Sequence, residues 1–327
     1  MKLSHKTIII IVGPTAVGKT PVAIKLATHF NTEIISADSR QCFKELRIGV
    51  ARPSDKELKT VKHHFVASHS IHHIVNAGTF AQYALNKTNE LFQTHDTVIM
   101  SGGTGLYVKA FCEGMDEIPN VPDEIRDEII SKHQANGLEW LQEQIAQKDP
   151  RFYSLGEIQN PQRLMRALEV AMATGRSILE FHKGQKEKRD FNIIKIGLEL
   201  SKQELHRNIN ARVDKMIEEG LFEEVKRLVP YKNLNALQTV GYSEIFDFLE
   251  GNLSFEQAVD NIKKNTRQYA KRQMTWFKRD KEINWLSADE PNIIQFAETL
   301  VKKQVPAGPA EDSRALHPIK NNHKLDS

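Results

Sequence analysis

The chain has 327 residues, 40% of them hydrophobic and 27% charged, with 45 Lys and Arg against 42 Asp and Glu for a formal charge of +3. That balance excludes collagen-like, low-complexity and acidic disordered chains, and the length suggests about two domains with a sizeable core. Net charge permits nucleic acid as a partner without demanding it. Two cysteines, Cys42 and Cys112, cannot build a disulfide framework, which points to a reducing, cytoplasmic setting. Met1–Lys6 is cationic, but the longest apolar run after it, Ile8–Val12, is too short for a signal-peptide core or a membrane span. No membrane association is expected.

In chain order, Thr7–Val12 is a continuous β-branched run of the kind found in strands buried on both faces. Glu33–Ala37 and Thr97–Ser101 are weaker versions, with helical patterns between, so a parallel sheet covered by helices is expected. Ligands in such sheets bind at the carboxyl ends of the strands. From about Met115 the texture becomes helical, after the proline-marked connection Ile118–Pro122, until Phe191–Leu200 returns as a strand. Helices then follow to about Arg279, and Asn292–Lys303 fits one more amphipathic helix. The chain is therefore read as α/β: residues 1–115 are the first part of a core sheet and 116–190 a helical insertion. Residues 191–287 complete the core and add C-terminal helices, and 288–327 hold a terminal helix and a tail. Val305–Ser327, with Pro306, Pro309 and Pro318, is expected to be disordered.

Gly13-Pro14-Thr15-Ala16-Val17-Gly18-Lys19-Thr20 fits G-x-x-x-x-G-K-[ST] between a strand and a helical run, the context that gives this motif its meaning. Its amides can turn inward on phosphate oxygens, and the helix N-terminus adds positive potential. Lys19 would put its charge on the terminal phosphates and Thr20 a hydroxyl on Mg²⁺. The core is thus P-loop NTPase-like, and a nucleotide such as ATP or another di- or triphosphate is the expected ligand. Asp38, at the end of the second apolar run, could hold Mg²⁺ or act as a general base; spacing does not choose.

Lys263–Lys281 holds eight cations (Lys263, Lys264, Arg267, Lys271, Arg272, Lys278, Arg279, Lys281) against Asp280, with Tyr269, Trp276 and Phe277 interleaved. Helical spacing puts several on one flank. Such a flank is either a solvated face or a surface for single-stranded RNA, which is read by charge and stacking.

Seven segments together resemble the tRNA dimethylallyltransferase, or IPP transferase, family. They are the phosphate loop, Asp38-Ser39-Arg40-Gln41, Gly102–Tyr107, Asn160–Val170, Arg212–Met216, Val240-Gly241-Tyr242 and Lys271–Phe277, in the family's order. The resemblance implies a P-loop fold and transfer of a five-carbon prenyl group from dimethylallyl diphosphate to the N6 amine of the adenine 3′ to a tRNA anticodon. It implies that Asp38 holds the amine and takes its proton, that Thr104 lies near the departing oxygen, and that Arg212 holds diphosphate with residues 13–20. Mg²⁺ on Thr20 is the implied cofactor. Implied contacts to the tRNA anticodon stem-loop are Asp38, Ser39, Arg40, Gln41, Thr104 and Arg126. With them come Gln162, Arg163, Leu164, Met165, Arg166, Gln238, Gly241, Tyr242, Lys271, Arg272, Gln273 and Trp276. A monomer is expected.

Two departures stand out: Cys42 replaces the family's usual tyrosine, and Gly49-Val50-Ala51-Arg52-Pro53 stands for Gly-Thr-Ala-Lys-Pro. His63, His64, His69, His72 and His73 crowd together, but no Cys or carboxylate completes a zinc set at a recognisable spacing. Cys42 as a catalytic thiol has no place in the implied chemistry. Rival readings are an isopentenyltransferase acting on free adenylate, a P-loop kinase or NTPase for a small molecule, and an RNA-binding protein that only senses nucleotide.

Overall fold

The computed structural model describes residues 6–304 apart from 183 and 185, so the expected tail Val305–Ser327 lies outside the described residues. The chain runs β1 (Thr7–Val12), α1 (Lys19–His29), β2 (Ile34–Ser36), α2 (Asp55–Thr60), β3 (His63–His64), α3 (Ala77–Leu91), β4 (Thr97–Gly102) and α4 (Gly105–Glu113). Three helices follow, α5 (Asp123–Lys148), α6 (Pro150–Leu155) and α7 (Pro161–Thr174), before the return as β5 (Asn192–Glu199). Then come α8 (Lys202–Glu218), α9 (Leu221–Arg227), α10 (Ser243–Leu249), α11 (Phe255–Phe277), β6 (Ile283–Ser287) and α12 (Ile293–Gln304).

The strands form one parallel sheet, β3-β2-β4-β1-β5-β6. β1 is central because nothing in it needs water: all six residues are buried. Its side chains alternate between two cores. Ile8, Ile10 and Val12 join Ile35, Met100, Phe80 and Phe111 on one face, whereas Ile9 and Ile11 join Leu26, Ile99 and Ile196 on the other. Each isoleucine buried this way contributes about 1.5–3 kcal/mol. A third core lies off the sheet, where Ile129, Leu141, Ile145, Phe152, Leu164 and Leu168 pack α5, α6 and α7 together. Asn160 caps α7 by accepting from the amides of Gln162 (3.1 Å) and Arg163 (3.4 Å), with Pro161 in the first turn.

The four expected strands are present, and two more were not expected. β3 is a two-residue edge beside β2, too short to leave a pattern. β6 follows a charged run and carries Asn284 and Trp285, so it has no clean alternation; pairing with β5 makes it a strand. Among the described residues no helix is long and apolar enough to cross a membrane.

Candidate active site

Strand register brings three loops to one place at the carboxyl edge of the sheet. Val12 lies opposite Gly102, and Ser36 opposite Ser101, so the segments after β1, β2 and β4 emerge side by side. They can approach because of Gly102, where a Cβ would sit 2.1 Å from the Ala37 carbonyl oxygen. The loop after β1 turns at Gly13 (φ 147°), Ala16 (φ 64°) and Gly18 (φ 101°) and enters α1 with no side chain capping its N-terminus. Uncapped amides there are free to meet an anion.

Lys19 folds back over this loop and donates to the carbonyls of Gly13 (3.0 Å) and Pro14 (2.7 Å). Burial, helped by the nearby Arg212 charge and opposed by Asp38, lowers its pKa to about 7. Arg212, on α8, donates to the Thr15 hydroxyl at 3.3 Å. Asp38 accepts the amides of Arg40 (2.9 Å) and Gln41 (3.1 Å) on Oδ1, an Asx-type turn that aims the carboxyl at the same space. Thr104 accepts from the Ser39 amide at 3.0 Å and donates to the Ser39 hydroxyl at 3.3 Å, which ties the β4 loop to the β2 loop.

Lys19, Arg212 and Asp38 line a channel of about 1100 Å³ that runs from the phosphate loop past Ile48, Val50, Met216 and Tyr269. A side recess of about 40 Å³ opens behind Lys19 and Thr20 and is lined by Ser36, Asp38 and Ser101. Thr15–Thr20 of the loop, Asp38 and Arg212 thus line one site, with the Gly13 and Pro14 carbonyls under Lys19 and Thr104 beside it.

The expected RNA contacts are scattered by comparison. Ser39 and Gln41 are at the site, Gln41 donating to the carbonyls of Val50 (3.2 Å) and Ala51 (3.0 Å). Arg40 reaches out to Asn235 and to the carbonyl of Gln238, which is exposed. Lys271 and Arg272 are exposed on α11, and Arg272 lies 5.9 Å from the Tyr269 ring centroid. Arg126, Gln162, Arg163 and Arg166 are at least partly exposed on the insertion.

Five of the expected contacts are buried. Leu164 and Met165 pack into the insertion core. Gln273 is buried too: its Oε1 accepts the Thr15 amide (2.8 Å) and its Nε2 donates to the Gly103 carbonyl (2.9 Å), which latches two site loops together. Tyr242 is fully buried and donates to Glu224 at 2.6 Å, and Gly241 is buried with its amide on Glu244 (2.7 Å). All five sit on the packed side of their elements. Trp276 lies against Gly105, where a Cβ would come within 2.1 Å of its ring.

The basic stretch is also less open than it reads. Lys263 pairs with Asp214 (2.5 Å), Lys278 with Glu199 (2.7 Å), and Arg267 donates to Asn210 (2.7 Å). Glu224 was missed by sequence reasoning. It accepts the amides of Arg47 (3.1 Å), Ile48 (2.8 Å) and Gly49 (3.0 Å) as well as the Tyr242 hydroxyl, and so fixes the channel wall formed by the departing Gly49–Pro53 run. The histidines take separate partners: His63 bonds the Val61 carbonyl (2.8 Å), His64 bonds Glu33, and His69 bonds Ser68 (2.8 Å). Burial pushes the Cys42 thiol up to about 12, the setting of an inert packing cysteine.

A parallel sheet with a G-x-x-x-x-G-K-[ST] loop at its centre, and a carboxyl and two basic side chains beside it on one channel, defines a P-loop-like α/β fold. Comparison narrows the class. The family model described as IPP transferase matches residues 41–280. The tRNA dimethylallyltransferase of Christiangramia forsetii (strain DSM 17595 / CGMCC 1.15422 / KT0803) is 46% identical over 293 residues, 89% of this chain and 97% of the relative. The full-length tRNA isopentenylpyrophosphate transferase of Bacillus halodurans superposes with a TM-score of 0.67 at 31% identity, covering 91% of this chain and 97% of that one. A eukaryotic dimethylallyltransferase acting on tRNA shares the fold, with a TM-score of 0.75 at 24% identity, over 95% of this chain and 82% of its own. The chain belongs to the IPP transferase family.

Proposed function

We propose that this protein is a tRNA dimethylallyltransferase. It moves the dimethylallyl group from its diphosphate to the exocyclic N6 amine of the adenine 3′ to the anticodon, and it does so as a cytoplasmic monomer. The observation that carries this reading is the convergence of Asp38, Lys19 and Arg212 on one channel far larger than a phosphate needs, with Thr104 tied to the Asp38 loop beside it. Relatives named for the same reaction support it.

In this reading N6 attacks the first carbon of the prenyl group, the carbon–oxygen bond breaks, diphosphate leaves with the electron pair, and an N6 proton passes to Asp38. Adenine N6 is a weak nucleophile, so a carboxylate within hydrogen-bond reach is needed to hold it and accept that proton. Lys19, Arg212 and the loop amides hold the diphosphate and stabilise the charge it gains on departure. In this reading the Thr104 hydroxyl turns from Ser39 to donate to the bridging oxygen as the bond breaks. Mg²⁺ would supply further neutralisation of the leaving group. The donor set fits it: Thr20, Ser36, Ser101 and Asp38 offer hard oxygen ligands around the recess, and among the described residues no cluster of His, Cys, Asp and Glu competes as a metal site. The target adenine must leave its loop to reach the channel. In this reading the exposed cations of α11 and the insertion hold the RNA around it.

Incubation with labelled dimethylallyl diphosphate and either unmodified tRNA or AMP tests the proposal. Label on tRNA is the expected result. Label on AMP would reassign the acceptor, and nucleotide turnover without a prenyl donor would make the protein a kinase or NTPase.

A further inference from the structure

Carboxylates are seldom buried without partners, and Glu169 is buried at 6% exposure on α7. Its partners are two arginines. Arg126, in the first turn of α5, donates Nε to Oε1 at 3.3 Å and Nη2 to Oε2 at 3.4 Å. Arg166, one turn earlier on α7, donates Nη1 to Oε2 at 2.9 Å. Both arginines stay about a third exposed, at 36% and 34% of their side chains. One carboxylate therefore ties two helices together at their surface. It also holds two like charges side by side, which would otherwise drift apart. A guanidinium has five N–H donors in a flat fork, so each arginine keeps donors that Glu169 does not use. Gln162 and Arg163 lie exposed in the first turn of α7, one turn before Arg166.

We infer that Glu169 is a positioning residue for RNA: it locks Arg126 and Arg166 into one rigid fork whose outer donors take phosphates of the RNA backbone. The inference rests on the tRNA reading of the insertion and deepens it. Sequence assigned the two arginines as separate contacts, and the structure makes them a pair built on a buried acid. The first turn of α7 has only an exposed pair by contrast. Arg163 is paired with Glu157, and both are about half exposed, an arrangement that restrains the side chain little.

The test uses the full chain and measures tRNA affinity across a range of salt, the kinetics of prenyl transfer, and donor binding. Glu169→Gln removes a negative charge next to two arginines, so long-range electrostatics alone would tighten RNA binding. Positioning demands the reverse. The expected result is a Kd for tRNA raised by about tenfold and a raised KM for tRNA, with kcat at saturating tRNA and donor affinity unchanged. Unchanged or tighter tRNA binding would overturn the inference. Arg126→Ala with Arg166→Ala should weaken binding at least as much and flatten the slope of log K against log salt by up to about 2. If that pair changes nothing, the insertion does not hold RNA and the inference falls with it; if wild type labels no tRNA, the underlying reading fails first. Glu169→Asp keeps the charge and shortens the reach, which guards against a glutamine variant that does not fold. Weakened tRNA binding at an unchanged melting temperature supports positioning, and wild-type affinity in the folded aspartate variant overturns it.

Discussion

At the carboxyl edge of the sheet, polar side chains are mostly engaged with the protein's own loops. Gln273 latches the phosphate loop to the Gly103 loop, Thr104 ties to Ser39, and Glu224 gathers three amides of the opposite wall. On the insertion the pattern inverts: the apolar core is sealed inside α5, α6 and α7, and Gln162 and Arg163 in the first turn of α7 point outward, while Glu169, two turns on, is buried. Under the proposed function the difference follows from what each would hold. A small diphosphate needs preorganised donors in a fixed shape, whereas an RNA strand needs reach and charge over a longer track. Rigidity is built by spending hydrogen bonds inward, and reach by leaving them outward.

If that contrast is right, the largest effect belongs to the channel. Asp38→Ala should lower turnover by about 10²-fold or more while calorimetry shows diphosphate binding intact. Turnover near wild type would remove Asp38 as the proton acceptor. Next, Leu164→Ala should cost about 2–5 kcal/mol, felt in the insertion. Hydrogen exchange is expected to speed up in α5 and α7 and not in β1, with donor binding retained; exchange rising everywhere would mean the two regions fold as one. Gln273→Ala leaves the Thr15 amide and the Gly103 carbonyl without their partner, a loss of about 1–3 kcal/mol that should appear as weaker diphosphate binding. An unchanged diphosphate Kd would show that the latch is not needed for the loop's shape. Lys271→Ala with Arg272→Ala should raise the Kd for tRNA modestly and flatten its salt dependence, with diphosphate binding untouched. A wild-type salt slope would make the flank a solvated face.

The smallest effect is a proton. Lys19, with its pKa near 7, is largely neutral at pH 8 before ligand binds and is charged beside diphosphate. Donor binding at pH 8 should therefore take up close to one proton on Lys19, and donor affinity should weaken as pH rises through 7 and above. Below pH 6 the lysine is already charged and its uptake vanishes. Calorimetry in buffers of different ionisation enthalpy, compared with Lys19→Arg, reads this directly; equal uptake by the two proteins would contradict the lowered pKa.

Much of the site was legible because its residues are local in sequence. The phosphate loop, the Asp38 turn and the Gly102–Gly105 run each declare a backbone conformation through their own residue types. The contacts that join them were not legible. Gln273 reads as one more polar residue of a basic helix, and Glu224 looks no different from its neighbour Glu223, which is exposed. Glu169 likewise sits in an ordinary amphipathic pattern. Nothing in the composition of a helix says which of its polar residues turns inward to meet a loop some 170 residues away.

By itself the amino-acid order determined the strands with strong β-branched runs, the phosphate loop, and the segregation of charge that a total of +3 concealed. The local physics of backbone preference and apolar periodicity is enough for those. Only the tertiary structure decided which of the expected contacts are exposed and which are packed inside. It also decided that several cations of α11 are already paired. Burial and pairing belong to the packed chain, since a side chain's surroundings come from elements far away in sequence.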